Sequence, residues 1–190
     1  MIILQRDLTK QTITIKSVIT IMLKSLTKFL SLSYLFFICM NINAEYLKLT
    51  SDDVLKTPLP LPYNGVVYKE SEVDTFINDA IENSKQPIVI FGGNWCPDCR
   101  ILDGTLKMPS IESYLESHYR ILHIDVGRYD INMNLMDYFG IAKEKGVPRV
   151  LVFDMSKNII NSSTTKEWTT ARDRKEQDIF NYFQDLVEKI

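Results

Sequence analysis

The sequence predicts an α/β domain with a central mixed β-sheet flanked by helices, and three observations carry that expectation. Short apolar runs bounded by glycine, proline or polar turns alternate with segments whose apolar residues recur at helical spacing. One run, Ile88-Val89-Ile90-Phe91, has no polar alternation, as a strand buried on both faces requires. A last pair of apolar runs, Val150-Leu151-Val152-Phe153 and Ile159-Ile160, straddles a turn at 154–158 and reads as a closing hairpin before a final helix.

In chain order, Thr57-Pro58-Leu59-Pro60-Leu61-Pro62 belongs to an extended lead-in that packs along the domain surface. Val66-Val67-Tyr68 reads as a short first strand. Ser71 is the expected cap of a helix that places Val73, Phe76, Ile77, Ala80 and Ile81 on one face. After the buried strand and Gly92-Gly93, a helix runs from the Cys96 region to about Leu106. Pro109 interrupts it, and Ile111, Tyr114 and Leu115 continue a second piece. Arg120–Val126 is a further strand, and Leu135, Met136, Tyr138 and Phe139 mark a helix closed by Gly140. From about Asp173, Ile179, Phe180, Phe183, Leu186 and Val187 fall at helical spacing. There is no internal repeat and no second domain in this pattern.

Composition bounds the function. The 190 residues are 45% hydrophobic and 24% charged, with a formal net charge of −2. That is an ordinary folded chain rather than a disordered, collagen-like or nucleic-acid-binding one. Residues 1–44 read differently: Lys24 and Lys28 precede an apolar run from Phe29 to Met40, followed by Asn41-Ile42-Asn43-Ala44. A positive flank, a short apolar core and a small residue at the end make a secretory signal peptide, too short to span a bilayer comfortably. Met22 is an alternative start, because residues 22–44 alone make a well-proportioned signal. The alternative to cleavage is an uncleaved N-terminal anchor, the only membrane contact expected. The expected organisation is a signal peptide over 1–44, an N-terminal extension over 45–69 and one domain over 70–190. Removing residues 1–44 leaves 17 basic and 23 acidic residues, which argues further against nucleic acid. It also removes Cys39, leaving Cys96 and Cys99 as a lone close pair.

Cys96-Pro97-Asp98-Cys99 sits where a buried strand hands over to a helix. Only a thiolate attacks a disulfide, and the unpaired N–H groups at a helix N-terminus stabilise that anion. Cys96 is therefore the expected nucleophile, and Cys99, one turn inside, the resolving thiol. Pro97 suits the first helical turn, where its missing N–H costs nothing. Two other readings stand beside this one. A zinc site would need His118 and His123, but 18 residues separate Cys99 from His118 and His123 falls in a strand. A purely structural disulfide closing so short a loop would constrain the unfolded chain very little. No metal and no organic cofactor is expected.

Trp95-Cys96-Pro97-Asp98-Cys99 after a buried strand, with Gly146-Val147-Pro148 about fifty residues later, resembles the thioredoxin family. The resemblance implies a thioredoxin-like fold, a cis peptide at Pro148 lying against the redox pair, and substrate contact through the Val147 backbone. It makes Cys96 and Cys99 catalytic and Trp95, Pro97, Asp98, Val147 and Pro148 substrate-binding. The stretch 91–103, then 125–132 and Thr170-Ala171-Arg172, is similar to one bacterial group of exported thioredoxin-like proteins. Two departures stand out. Where thioredoxins carry a buried aspartate six residues before the first cysteine, this chain has Ile90. The pair also encloses Pro97-Asp98, and a carboxylate beside Cys96 either opposes thiolate formation, shuttles protons, or is simply a helix N-terminal charge. Arg149 reads as a surface arginine, with a bias of the substrate groove towards acidic partners as the alternative, and Asp103 and Arg172, which belong to the resemblance, as a surface ion pair. His118 and His123 carry no assigned task. The 164–172 stretch with Trp168 is expected to form a loop near the site, and Asn161-Ser162-Ser163 fits a glycosylation sequon if the source is eukaryotic.

The expected function is thiol–disulfide exchange on exported proteins, as a reductase or maturation factor, in the periplasm if the source is bacterial. Its partners are protein thiols or disulfides and a redox protein that recycles the pair. The alternatives are a disulfide oxidase or isomerase, and a thioredoxin-like binding module without turnover.

Overall fold

Residues 46–187 are described by a computed structural model, so the expected signal peptide lies outside the described residues. Among them the elements run α1 (Glu70–Glu82), β1 (Gln86–Gly92), α2 (Pro97–Leu106), α3 (Pro109–His118), β2 (Tyr119–Asp125), α4 (Asn134–Tyr138), β3 (Arg149–Val152) and α5 (Glu176–Leu186). Two 3₁₀ segments, Ser162–Thr164 and Glu167–Asp173, join β3 to α5.

The sheet order is β2-β1-β3, with β1 parallel to β2 and antiparallel to β3. This is the expected mixed sheet, and β1 at its centre is buried at every residue. Because side chains alternate along a strand, β1 divides its apolar residues between two layers. Val89 and Phe91 pack with Val73 and Ile77 of α1 and Leu135 and Met136 of α4. Ile88 and Ile90 pack with Leu102 and Leu106 of α2, Ile111 of α3, and Phe180 and Phe183 of α5. Helices therefore cover both faces, which lets an uninterrupted apolar strand exist.

Three local expectations are corrected. Ser71 lies inside α1, whose cap position is Lys69; the Glu72 carboxylate accepts the Lys69 N–H at 2.7 Å. Val66–Tyr68 is not a strand, because the Asn132 side chain takes its hydrogen bonds: Tyr68 N–H donates to Asn132 Oδ1 and Asn132 Nδ2 donates to Val66 O. The closing hairpin shrinks to a single bridge, Phe153 to Ile159. There Asn161 replaces a partner strand, accepting Val152 N–H and donating to Val150 O, each at 2.8 Å. Asn161 is thus buried and fully engaged, not an available glycosylation acceptor.

Residues 46–62 run across the helices of one layer. Leu47 and Leu49 donate their N–H groups to Gln184 and Gln177 of α5. Asp53 accepts Ser110 N–H at 2.7 Å in the first turn of α3, capping that helix from a distant part of the chain. Arg100 of α2 then donates to Leu59 O and Pro60 O. A Cβ on Gly104 of α2 would stand 2.7 Å from Leu55 Cδ1, so the bare Cα lets this segment lie close against α2.

Candidate active site

β1 ends at Gly92, and the turn Gly93–Cys96 is closed by Cys96 N–H donating to Gly93 O at 2.9 Å. Cys96 takes the N-cap position of α2 with extended backbone, and Pro97 follows at the first helical position. Its sulfur accepts Cys99 N–H at 3.1 Å, one of the donors a helix start leaves free. Cys96 and Cys99 form a disulfide. Both cysteines are buried, Cys96 at 4% exposed and Cys99 at 1%.

Gly146–Arg149 passes opposite the pair, and the Val147–Pro148 peptide is cis. Cys96 Sγ lies 3.4 Å from the Val147 carbonyl oxygen. Trp95 and Pro97 are exposed at the rim, and Val147 and Pro148 are buried beside the pair. Trp95 donates its indole N–H to Gly127 O, packs edge-on against Tyr129 and carries the Arg128 guanidinium 4.9 Å from its ring centroid. Tyr129 Oη in turn accepts Gly146 N–H at 3.1 Å, tying the Trp95 rim to the Pro148 loop.

Asp98 faces the other way. It is 3% exposed, and Arg172 of the 167–173 segment donates to it from its backbone N–H at 3.0 Å and, along one edge of its guanidinium, from Nε to Oδ1 and Nη2 to Oδ2. The hydrogen bonds and charge of Asp98 hold the Arg172 guanidinium above its ordinary range. A carboxylate next to a reactive sulfur is thereby matched by a cation. The 164–172 stretch does lie near the site, through Arg172 on Asp98, but from Glu167 it is 3₁₀ helix rather than loop, and its Trp168 is buried with the ring edge-on to Tyr182.

Two further arginine and aspartate expectations are overturned. Arg149 is 2% exposed, not a surface residue, and it donates to Gly146 O, Ala142 O, Thr165 Oγ1 and Glu144. It holds the loop that carries Pro148. Asp103 is buried rather than in a surface pair with Arg172, and its Oδ1 lies 2.9 Å from His123 Nε2. His118 sits at the end of α3 with its ring stacked on Tyr114.

Sequence reasoning missed Tyr63 and Asn94. Asn94, in the turn before Cys96, accepts Tyr63 N–H at 3.1 Å and donates to Tyr63 O at 2.6 Å. This clamp draws the end of the extension into the site, where Tyr63 is 4% exposed. No spacing or motif marks Tyr63, because its partners lie more than thirty residues away.

No protein-family model and no curated protein matches the chain. Among solved structures it is similar to a disulphide isomerase from Xylella fastidiosa, with 28% identity and a TM-score of 0.62 over 68% of this chain and 99% of that one. A thioredoxin point mutant from Halobacterium salinarum aligns at 18% identity and a TM-score of 0.41, covering 75% of this chain and 99% of that one. The C-terminal domain of DsbD from Neisseria meningitidis, in its oxidised form, aligns at 21% identity and a TM-score of 0.35, covering 55% and 92%.

Proposed function

We propose that this chain, a thioredoxin-like thiol–disulfide oxidoreductase, exchanges disulfides with exported protein substrates as a reductase or maturation factor. The observation that carries the reading is Cys96 Sγ at the N-terminus of α2, accepting Cys99 N–H and facing the Val147 carbonyl. In the reducing direction the Cys96 thiolate attacks a substrate disulfide, one substrate sulfur leaves as a thiol, and a mixed disulfide forms. Cys99 then attacks Cys96 Sγ, releasing the second substrate thiol and leaving the Cys96–Cys99 disulfide. A redox partner protein returns two electrons to the pair. Val147 and Pro148 line the groove in which an extended substrate segment lies, with Trp95 and Pro97 as its exposed rim. Asp98, held by Arg172, orients the start of α2 while its charge is balanced.

Export rests on the pattern of residues 1–44, a positive flank before a short apolar core. No helix among the described residues is long and apolar enough to cross a membrane. If the source is bacterial, the compartment is the periplasm.

A second reading is favoured by the similarity to the Xylella protein, a disulphide isomerase by description. The same residues then run the exchange in the oxidising or reshuffling direction. The reduction potential of the chain in glutathione buffers separates the two, with Cys96→Ser as control. A value near about −270 mV marks a reductase, and one between about −180 and −120 mV an oxidase or isomerase. A pair that cannot be cycled leaves only a binding module.

A further inference from the structure

The resolving cysteine must become an anion in a place closed to water. Cys99 is 1% exposed, and Ile90, the β1 residue at the position where an acid is missing, is 1% exposed and apolar. An unassisted thiolate there is costly. One polar side chain stands close to it. A Cβ added to Gly92 would overlap the Tyr63 hydroxyl and stand 3.0 Å from Cys99 Sγ. The hydroxyl and the sulfur are thus neighbours across a bare Cα. Gly92 has no positive φ, so space rather than backbone conformation explains the glycine.

The Tyr63 ring is held on two sides. Asn94 clamps its backbone, and His123 meets its ring edge-on at 5.5 Å between centroids. His123 pairs with Ile90 in the β1–β2 register, so it presents itself beside that apolar position, and Asp103 of α2 stands 2.9 Å behind it. Burial, with the charges of Asp103 and Asp125 adding to it, pushes the Tyr63 phenol well above its ordinary range. Tyr63 therefore stays protonated, as a donor must.

We propose that Tyr63 is a catalytic group of the resolving step, its hydroxyl donating a hydrogen bond to Cys99 Sγ as that sulfur becomes an anion. The inference rests on the oxidoreductase reading above. In the step, the Cys99 sulfur loses its proton and bonds to Cys96 Sγ. The bond from Cys96 to the substrate sulfur breaks, its electron pair leaves with the substrate sulfur, and that sulfur takes up a proton. The net change moves one proton from Cys99 to the released thiol, and Tyr63 is unchanged. The charged and titratable groups around the hydroxyl are Asp103 on α2 and His123 and Asp125 on β2. Arg100 of α2 is turned away, donating to Leu59 O and Pro60 O.

The test mixes the reduced full chain, in a Cys39→Ser background, with dithiobis(nitrobenzoate). A first coloured thiolate appears as Cys96 attacks, at a rate set by reagent concentration. A second appears at a concentration-independent rate as Cys99 resolves. Tyr63→Phe should leave the first phase unchanged, slow the second about ten- to a hundredfold at neutral pH, and move its pH midpoint upward. An unaltered second phase in Tyr63→Phe, or equal slowing of both phases, overturns the proposal. A wild-type chain with no second phase overturns the oxidoreductase reading itself. A second measurement needs no change at Tyr63: in Cys39→Ser/Cys96→Ser protein, the Tyr63 Cζ resonance should track the titration of Cys99. A resonance that does not respond also overturns the proposal.

Discussion

At the residue scale, the site depends on how a carboxylate is kept beside a reactive sulfur. Asp98 is buried next to Cys96, yet Arg172 satisfies it from backbone and side chain. Removing the cation leaves an uncompensated negative charge near the forming thiolate, and like charges disfavour one another. Arg172→Ala should therefore move the pH midpoint of Cys96 alkylation upward and slow alkylation at pH 7 about two- to fivefold, as suits a partly exposed ion pair. Iodoacetamide trapping followed across pH checks this, and an unchanged midpoint would show that Asp98 does not act on Cys96. The cysteine pair itself was legible in the sequence, because spacing, the preceding apolar run and Pro97 all lie within fifteen residues. The Asp98–Arg172 pair was not, because 74 residues separate its members and neither position is distinctive alone. For the same reason Arg149 passed for a surface residue: its four acceptors are set by the fold of a loop, not by local pattern.

At the scale of elements, the apolar periods located each α-helix and each of the three sheet strands among the described residues. The two failed strand expectations share one cause. Val66–Tyr68 and Ile159-Ile160 have strand-like text, but asparagine amides occupy the backbone groups a partner strand would use. A side chain acting as a strand is invisible to periodicity. Asn161→Ala should accordingly leave Val152 N–H and Val150 O unpaired in the interior and cost about 2–4 kcal/mol, read from denaturant midpoints. The extension offers a second case. Desolvation alone would raise the Asp53 carboxyl, but hydrogen bonds from Thr50 and Ser110 outweigh it and hold the group down at about 2. Its folded value lies below the ordinary 3.8, so its stabilisation is present above that value and is lost as pH falls toward about 2. Asp53→Ala should cost about 1 kcal/mol at neutral pH and abolish this acid dependence. Hydrogen exchange at Ser110 and along residues 46–62, compared at neutral and acid pH, reads both effects.

At the scale of the molecule, the two apolar layers on β1 fix the pair at the end of the central strand, and the Pro148 loop closes over it from β3. The extension, which reads in the sequence only as proline-rich lead-in, crosses α5, α3 and α2 before delivering Tyr63 to the back of the pair. An element without regular structure thus joins the exterior of the helical layer to the resolving cysteine. The whole arrangement assigns different work to two sulfurs three residues apart, and that division is its central claim. The most direct measurement offers a disulfide-bonded protein to reduced wild-type, Cys99→Ser and Cys96→Ser chains, all carrying Cys39→Ser, and resolves the products by mass. The wild type should reduce the substrate and end with the Cys96–Cys99 disulfide, Cys99→Ser should stop as a covalent adduct through Cys96, and Cys96→Ser should do neither. Adducts formed equally well through Cys99, or none from Cys99→Ser, would contradict the account.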